Sequence, residues 1–266
     1  MTTIDVALVT RLVTEAGASL LAAYPRTEPP ADREGLLAAF AEINDPTADR
    51  LKHDLALAYP GIPWTDDEFD LEGDKKAPAG EVWICDPIDG AVQFLNHLPA
   101  WCISLVLVRE GVPLLSVLHD PTHGELFHAV AGGGAFLNGE PIRAGKKQHL
   151  KDALAATSHP PFLGDDQVSI RRAGESLSAV LARVAAVRNL GPTSLQLAYV
   201  AAGRLDAFWE YGDDRTNWLA GSLLLRESGA TLTDARGEAF GWESKSIAAA
   251  APGLHSALLE ALAPVV

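Results

Sequence analysis

Val82-Trp83-Ile84-Cys85-Asp86-Pro87-Ile88-Asp89-Gly90 is the stretch on which the fold turns. The apolar run Val82 to Cys85 reads as a buried strand. Two carboxylates three residues apart follow it, and Gly90 stands where a helix is predicted to start. A strand that ends in carboxylates offers hard oxygen donors of the kind Mg²⁺ prefers. Backbone N–H groups at a helix start can meet a phosphate beside that metal. Metal and phosphate together point to phosphoryl chemistry. Taken alone, Asp86 to Gly90 fits a plain turn equally well, because Asp, Pro and Gly are turn formers and Asp caps helices.

Outward from this stretch the chain alternates between two periodicities. Apolar residues recur at helical spacing from Thr3 to Tyr24, and Pro25 ends them. Two short helices are predicted next, over Gly35–Ile43 and Thr47–Ala58, with Asp45-Pro46 between them. Val82–Cys85, Ile103–Val108, Leu114–Leu118 and Leu126–Val130 read as strands separated by Gly, Pro and Asp. Further on, helices are expected over 167–184, Ser194–Ala202, Asn217–Glu227 and Leu254–Leu262. Strands are expected over Ala186–Leu190, Leu205–Glu210, Thr231–Thr233 and Ile247–Ala250. No repeat or low-complexity linker interrupts the pattern, which is that of layered helices and sheets.

The 266 residues suffice for one large core or two small ones. With 48% hydrophobic and 21% charged residues, the composition is that of a soluble globular protein. No run of about 18 uninterrupted apolar residues occurs, so no membrane span is expected. Met1 to Asp5 lacks the basic start of a signal peptide. Cys85 and Cys102 both lie in apolar runs, which fits buried reduced thiols and a cytoplasmic setting. The net charge of −14 argues against a nucleic-acid partner, which calls for Lys/Arg clusters.

The Asp-Pro-Ile-Asp-Gly segment and its flanks resemble the inositol monophosphatase family, whose signature is Trp-x-x-Asp-Pro-Ile/Leu-Asp-Gly-Thr-x-Asn-Phe. Trp83, Asp86, Pro87, Ile88, Asp89, Gly90 and Phe94 match it in register. Asp66-Asp67-Glu68 stands where the family has Gly-Glu-Glu. Gly132 to Gly139, Ala201 to Ala207 and Glu227 to Ala230 resemble later family segments, in the same order and at the same spacing. The resemblance implies an α+β fold, the layered αβαβα sandwich of the inositol monophosphatase and fructose-bisphosphatase type. It also implies one domain over residues 1–266, with a metal-binding part to about 150 and a substrate-side part beyond, and a homodimer.

Carried over residue by residue, the resemblance implies Mg²⁺-dependent hydrolysis of a small phosphomonoester. Candidates are an inositol phosphate, a sugar or polyol phosphate, or histidinol phosphate. Asp86 would bridge two metals, the Ile88 carbonyl would join it at the first, and Asp89 would bind the second. Asp66, twenty residues before Asp86, would serve the first metal and take part in catalysis, with Glu68 as its rival. Asp49 would orient the attacking water. The Gly90 and Ala91 N–H groups would meet the phosphate, and Arg188, Thr193 and Glu210 would face the substrate.

Three departures touch the site. Ala91 replaces the threonine that follows the family's glycine. Asp66 is one methylene shorter than glutamate. Asn217 takes the place of a metal-binding aspartate, and an amide oxygen brings no charge. Asp213 or Asp214 could substitute through a shift of the loop. These changes leave a second reading open, a catalytically weakened or noncatalytic phosphoester-binding or regulatory member of the fold. His119, His123 and His128 lack the spacing of a zinc site and read as solvated or packed.

Overall fold

The computed structural model describes residues 4–24, 28–65, 76–160, 163–164 and 166–265. Helix α1, Val6–Ala23, starts where the Asp5 carboxylate accepts the Ala7 and Leu8 N–H groups at 3.0 and 3.2 Å. By length and composition it is apolar enough to cross a membrane. Its stripe of Val9, Leu12, Val13, Ala16 and Leu20 is instead buried against the protein's own sheet, as a core helix requires.

The two helices expected before residue 60 are one, α2, Arg33–Ala58. Pro46 lies inside it and withholds a donor from the preceding turn. Thr47 Oγ1 donates to the Ile43 carbonyl at 3.1 Å in that turn. Phe40, Leu51 and Leu55 anchor the helix on both sides of the proline.

A seven-stranded sheet follows in sequence order: β1 Trp64–Thr65, β2 Glu81–Asp89, β3 Cys102–Arg109, β4 Val112–Asp120, β5 Glu125–Val130, β6 Gly134–Leu137 and β7 Glu140–Pro141. All its pairs are antiparallel except β1 with β2. Between β2 and β3 lies the short helix α3, Ala91–Leu95. The remaining elements are β8 Leu154–Thr157, α4 Gln167–Leu181, β9 Ala186–Arg188, α5 Thr193–Ala201, β10 Ala207–Tyr211, α6 Arg215–Ser228, β11 Thr231–Thr233, β12 Ser246–Ala250 and α7 His255–Leu262. Their strands form a second sheet in the order β11-β12-β10-β8-β9.

Three cores define the layers. α1 and α2 cover one face of the first sheet, around Trp83, Phe94, Trp101 and Leu105. α5 and α6 fill the space between the sheets, with Leu197, Trp218 and Leu224 fully buried among Phe127 and Phe208. α4 and α7 close the outer face of the second sheet over Ala155, Trp209 and Ala250. The result is the αβαβα sandwich. β1, β6, β7 and β8 went unpredicted: the first three are short edge or hairpin pieces, and β8 is four residues long.

Candidate active site

β2 runs further than its apolar stretch, to Asp89, and its register against β3 shifts between Asp86 and Asp89. Pro87 sits in that irregularity, where a missing N–H costs the ladder nothing. In a regular strand, side chains three apart point to opposite faces. The irregularity re-aims them, and Asp86 and Asp89 line one pocket of about 270 Å³. They are 5% and 4% exposed. The Ile88 N–H donates to Asp86 Oδ1 at 2.9 Å.

Gly90 then reverses the chain at φ 95°, left-handed backbone that favours glycine. A Cβ there would lie 2.9 Å from the Ala100 carbonyl oxygen. Gly90, Ala91 and Val92 all line the pocket.

Ser194, the second residue of α5, holds Asp89 from across the molecule. Its hydroxyl and its N–H both donate to Asp89 Oδ2, the N–H at 3.2 Å. Burial, and the neighbouring Asp86 charge after it, push the Asp89 carboxyl well above its ordinary range, against the pull of the Ser194 bonds.

The third wall is the start of α6. Asp214, its N-cap, lines the pocket with Asn217, whose Nδ2 donates to Asp214 Oδ1 at 2.8 Å. Asp213 turns the other way, to Lys245 at 2.6 Å and to buried Arg215 at 3.4 Å. Of the two substitutes considered for the missing aspartate, the structure brings Asp214 to the pocket. Burial raises the Asp214 carboxyl.

The other candidates divide. Thr193 lines the pocket, but its hydroxyl is spent on Glu210 Oε2 at 3.1 Å. Glu210 is buried and does not line the pocket; its Oε2 also takes the Trp218 indole N–H at 2.7 Å, its Oε1 has no hydrogen-bond partner, and burial and then Asp214 raise its carboxyl. Arg188 is exposed outside the pocket and donates to the Val187 carbonyl. Asp49 lies in an adjoining cavity with Cys85 and Pro87, separated by Leu37 and Phe40, which line both spaces. Asp66 and Glu68 fall outside the described residues. The histidines pack as expected: His119 contacts the Glu125 carbonyl, His123 pairs with Asp120 at 2.7 Å, and His128 stacks on Phe136. A larger cavity, about 740 Å³ and lined in part by Arg172, Tyr211 and Trp242, holds none of these residues.

Sequence reasoning missed Ser194 as a partner of Asp89. It also missed the apolar wall of Leu36, Leu37 and Phe40 on α2. The position of Ser194 at a predicted helix start was the available signal for the first. The i, i+4 pair 36 and 40 was the signal for the second.

Among the described residues, no three His, Cys, Asp or Glu side chains close around a metal by themselves. The pocket does fit a hard cation in a mixed donor set. Asn217 Oδ1 is buried without a hydrogen-bond partner, beside Asp214 and in one pocket with two buried carboxylates. Buried like charges and an orphaned amide oxygen are what a bound cation would satisfy.

A two-sheet sandwich with carboxylates gathered at a strand end and a helix start defines a phosphoesterase-type architecture. The family profile described as the inositol monophosphatase family matches residues 6–266. The chain belongs to that family, and with it to the phosphoric monoester hydrolases. It is 37% identical over 230 residues to an inositol-1-monophosphatase of Rhizobium meliloti, covering 85% of this chain and 83% of that one. It is 34% identical over 211 residues to a protein of Pseudomonas aeruginosa named Nus factor SuhB, covering 79% and 77%. The solved structure of a Thermotoga maritima IMPase superposes with a TM-score of 0.80 at 26% identity, covering 96% of this chain and 95% of that one.

Proposed function

We propose that the chain hydrolyses a small phosphomonoester with Mg²⁺ held in the pocket of β2 and α6. The observation that carries this is the convergence of Asp86, Asp89, Asp214 and the unpartnered Asn217 amide oxygen in one space. Asp86, Asp89, Asp214, Asn217 and the Ile88 carbonyl would hold the metal. Asp66 is assigned to it by the resemblance alone. When bound, Mg²⁺ supplies Lewis-acid charge to the phosphoryl oxygens and a water acidic enough to serve as nucleophile.

The chain's own residues do the positioning. Ser194 fixes the rotation of Asp89. Gly90, which has no side chain, would let a phosphate approach the backbone N–H groups of the β2–α3 turn at the pocket. Ala91 offers a methyl group in place of the family hydroxyl, and Asp49 faces the adjoining cavity. Orientation of the water therefore rests on fewer groups than the family pattern supplies, and a slow enzyme is expected. Water adds across the P–O bond and releases alcohol and inorganic phosphate.

A second reading, phosphoester binding or regulation without turnover, draws on Ala91 and on the relatives named Nus factor SuhB. Asp214 weakens its motive, because it brings a carboxylate to the wall where Asn217 has none. The net charge of −14 speaks against direct contact with nucleic acid. The proposal extends to a homodimer, on the resemblance, and to the cytoplasm, on the burial of Cys85 and Cys102 in apolar strands. Sedimentation checks the first and fractionation the second.

The test of the activity is phosphate release from a panel of monoesters across Mg²⁺ concentrations, with Asp86→Asn as control. Mg²⁺-dependent release that disappears in the control supports the hydrolase. Binding of phosphoesters without release supports the second reading.

A further inference from the structure

We infer that the chain has a second ligand site, apart from the pocket of β2 and α6, for a small zwitterion with a flat apolar side chain: an aromatic amino acid. The inference goes beyond the hydrolase reading and does not depend on it.

The site is the cavity of about 740 Å³, lined chiefly by α4, the end of β10 and the connection from β11 to β12. Its size is that of a small-molecule site. Among the described residues it shares no lining side chain with the pocket of β2 and α6. Tyr211 and Trp242, 4% and 9% exposed, give it aromatic walls. The guanidinium carbon of buried Arg215 lies 5.2 Å from the Trp242 ring centroid and steadies that wall.

One wall is suited to an anion. Arg172 of α4 lies over the Tyr211 ring, 5.9 Å from the centroid. It is half-buried and forms no ion pair among the described residues. The Tyr211 hydroxyl is buried with no hydrogen-bond partner, which is rare in folded proteins. Burial pushes that hydroxyl up to about 12, so it stays a donor at neutral pH. A carboxylate beside Arg172 would supply the acceptor that both groups lack.

The other wall carries the opposite sign. Glu238 and Glu243, on the β11–β12 connection, form no ion pair among the described residues. Asp234 adds a third negative charge there, its Oδ1 taken by the Arg236 and Glu238 N–H groups at 2.8 Å each. Lys245 is committed to Asp213 at 2.6 Å, which leaves Arg236 as the one cation of that connection to offset the acids. The serines are spent inside the protein: Ser244 Oγ accepts the Gly241 N–H and Ser246 Oγ the Ala235 N–H, both at 3.0 Å. A ligand with one carboxylate and one ammonium matches both walls. A dianion would meet the glutamates, and a plain amine would leave Arg172 unanswered. Tyr211 and Trp242 then favour a flat ring as the side chain.

L-Phenylalanine is the probe, titrated calorimetrically into the full chain with and without Mg²⁺ and inorganic phosphate. It should bind, and Mg²⁺ with phosphate should not displace it. 3-Phenylpropionate lacks the ammonium and phenethylamine the carboxylate; each should bind about tenfold more weakly. Arg172→Gln should weaken phenylalanine binding about tenfold, and Tyr211→Phe about threefold. The second variant keeps the ring and removes a hydroxyl that bonds nothing, so it does not threaten folding. Arg171→Gln, on the same helix but outside the cavity, should change nothing.

No binding to the folded chain overturns the site. Equal binding of 3-phenylpropionate overturns the zwitterion. Displacement by phosphate with Mg²⁺, or binding that neither Arg172→Gln nor Tyr211→Phe alters, places the ligand elsewhere and overturns the assignment. Phosphate release from monoesters is read separately, so failure of the hydrolase reading leaves this one standing.

Discussion

Among the described residues, two segments supply the carboxylates of the pocket, and they hold them in different ways. At the end of β2, Asp86 and Asp89 are almost wholly buried, tied to a register shift, to the Ile88 N–H and to Ser194 of another layer. At the start of α6, Asp214 and Asn217 are half-buried and hold each other through one bond of 2.8 Å. The strand end is a fixed floor whose geometry is paid for by the surrounding sheet. The helix start is a cap, and a cap can pass its role to a neighbour three residues away without disturbing the helix behind it. On the proposed reading, Asp214 would take up the ligand role that Asn217 weakens, and the site would survive the change.

The largest effect should come from breaking the fixed side. Asp86→Asn should lower phosphate release on the order of 1,000-fold, because a preorganised charge is removed from a site that cannot rearrange. Asp214→Asn should cost on the order of 100-fold, since Asn217 remains beside it. Both are read as kcat/KM with the same ester. Equal losses would erase the distinction between floor and cap. No loss in Asp214→Asn would return the third carboxylate to another residue.

The converse change sharpens the same point. Asn217→Asp restores the residue the family pattern expects, yet it removes the amide donor that Asp214 accepts. Two carboxylates would then face each other without a proton donor between them. Without metal, the variant should be less stable by about 1–2 kcal/mol in urea unfolding. Added Mg²⁺ should recover more stability in the variant than in the unaltered chain, because a cation then has one more charge to bind. A variant that is equally stable without metal would show that the 2.8 Å bond contributes little.

Much of this was legible before the structure. Layered helices and sheets followed from the alternating periodicities, the αβαβα order from the family resemblance, and the long strands β2 to β5 from their apolar runs. Asp86 and Asp89 were announced by a motif in which each residue has a backbone reason to be there. Pro46 was misleading, because proline disfavours a helix locally while Phe40, Leu51 and Leu55 anchor it on both sides. Glu210 lies on the strand expected of it, and there Trp218 and Thr193 hold its Oε2, a pairing that spacing along the chain does not show. Register shifts and caps reach beyond pairwise spacing. For that reason the sequence leaves Asp213 and Asp214 as alternatives, and it is the structure that brings Asp214 to the pocket wall.

The smallest effect should come from the link between the layers. Ser194→Ala removes the hydroxyl that donates to Asp89 and keeps the backbone N–H, which still donates at 3.2 Å. Asp89 would lose one of its two bonds from α5 and remain within the β2 turn. A loss of about 1 kcal/mol in stability is expected, the usual net worth of one hydrogen bond. Activity should fall less than in Asp214→Asn, because the carboxylate stays in place with more rotational freedom. A loss as large as that of Asp86→Asn would mean that α5, rather than the β2 irregularity, fixes the floor. The fixed side would then be a contact between layers, open to disturbance from the second sheet.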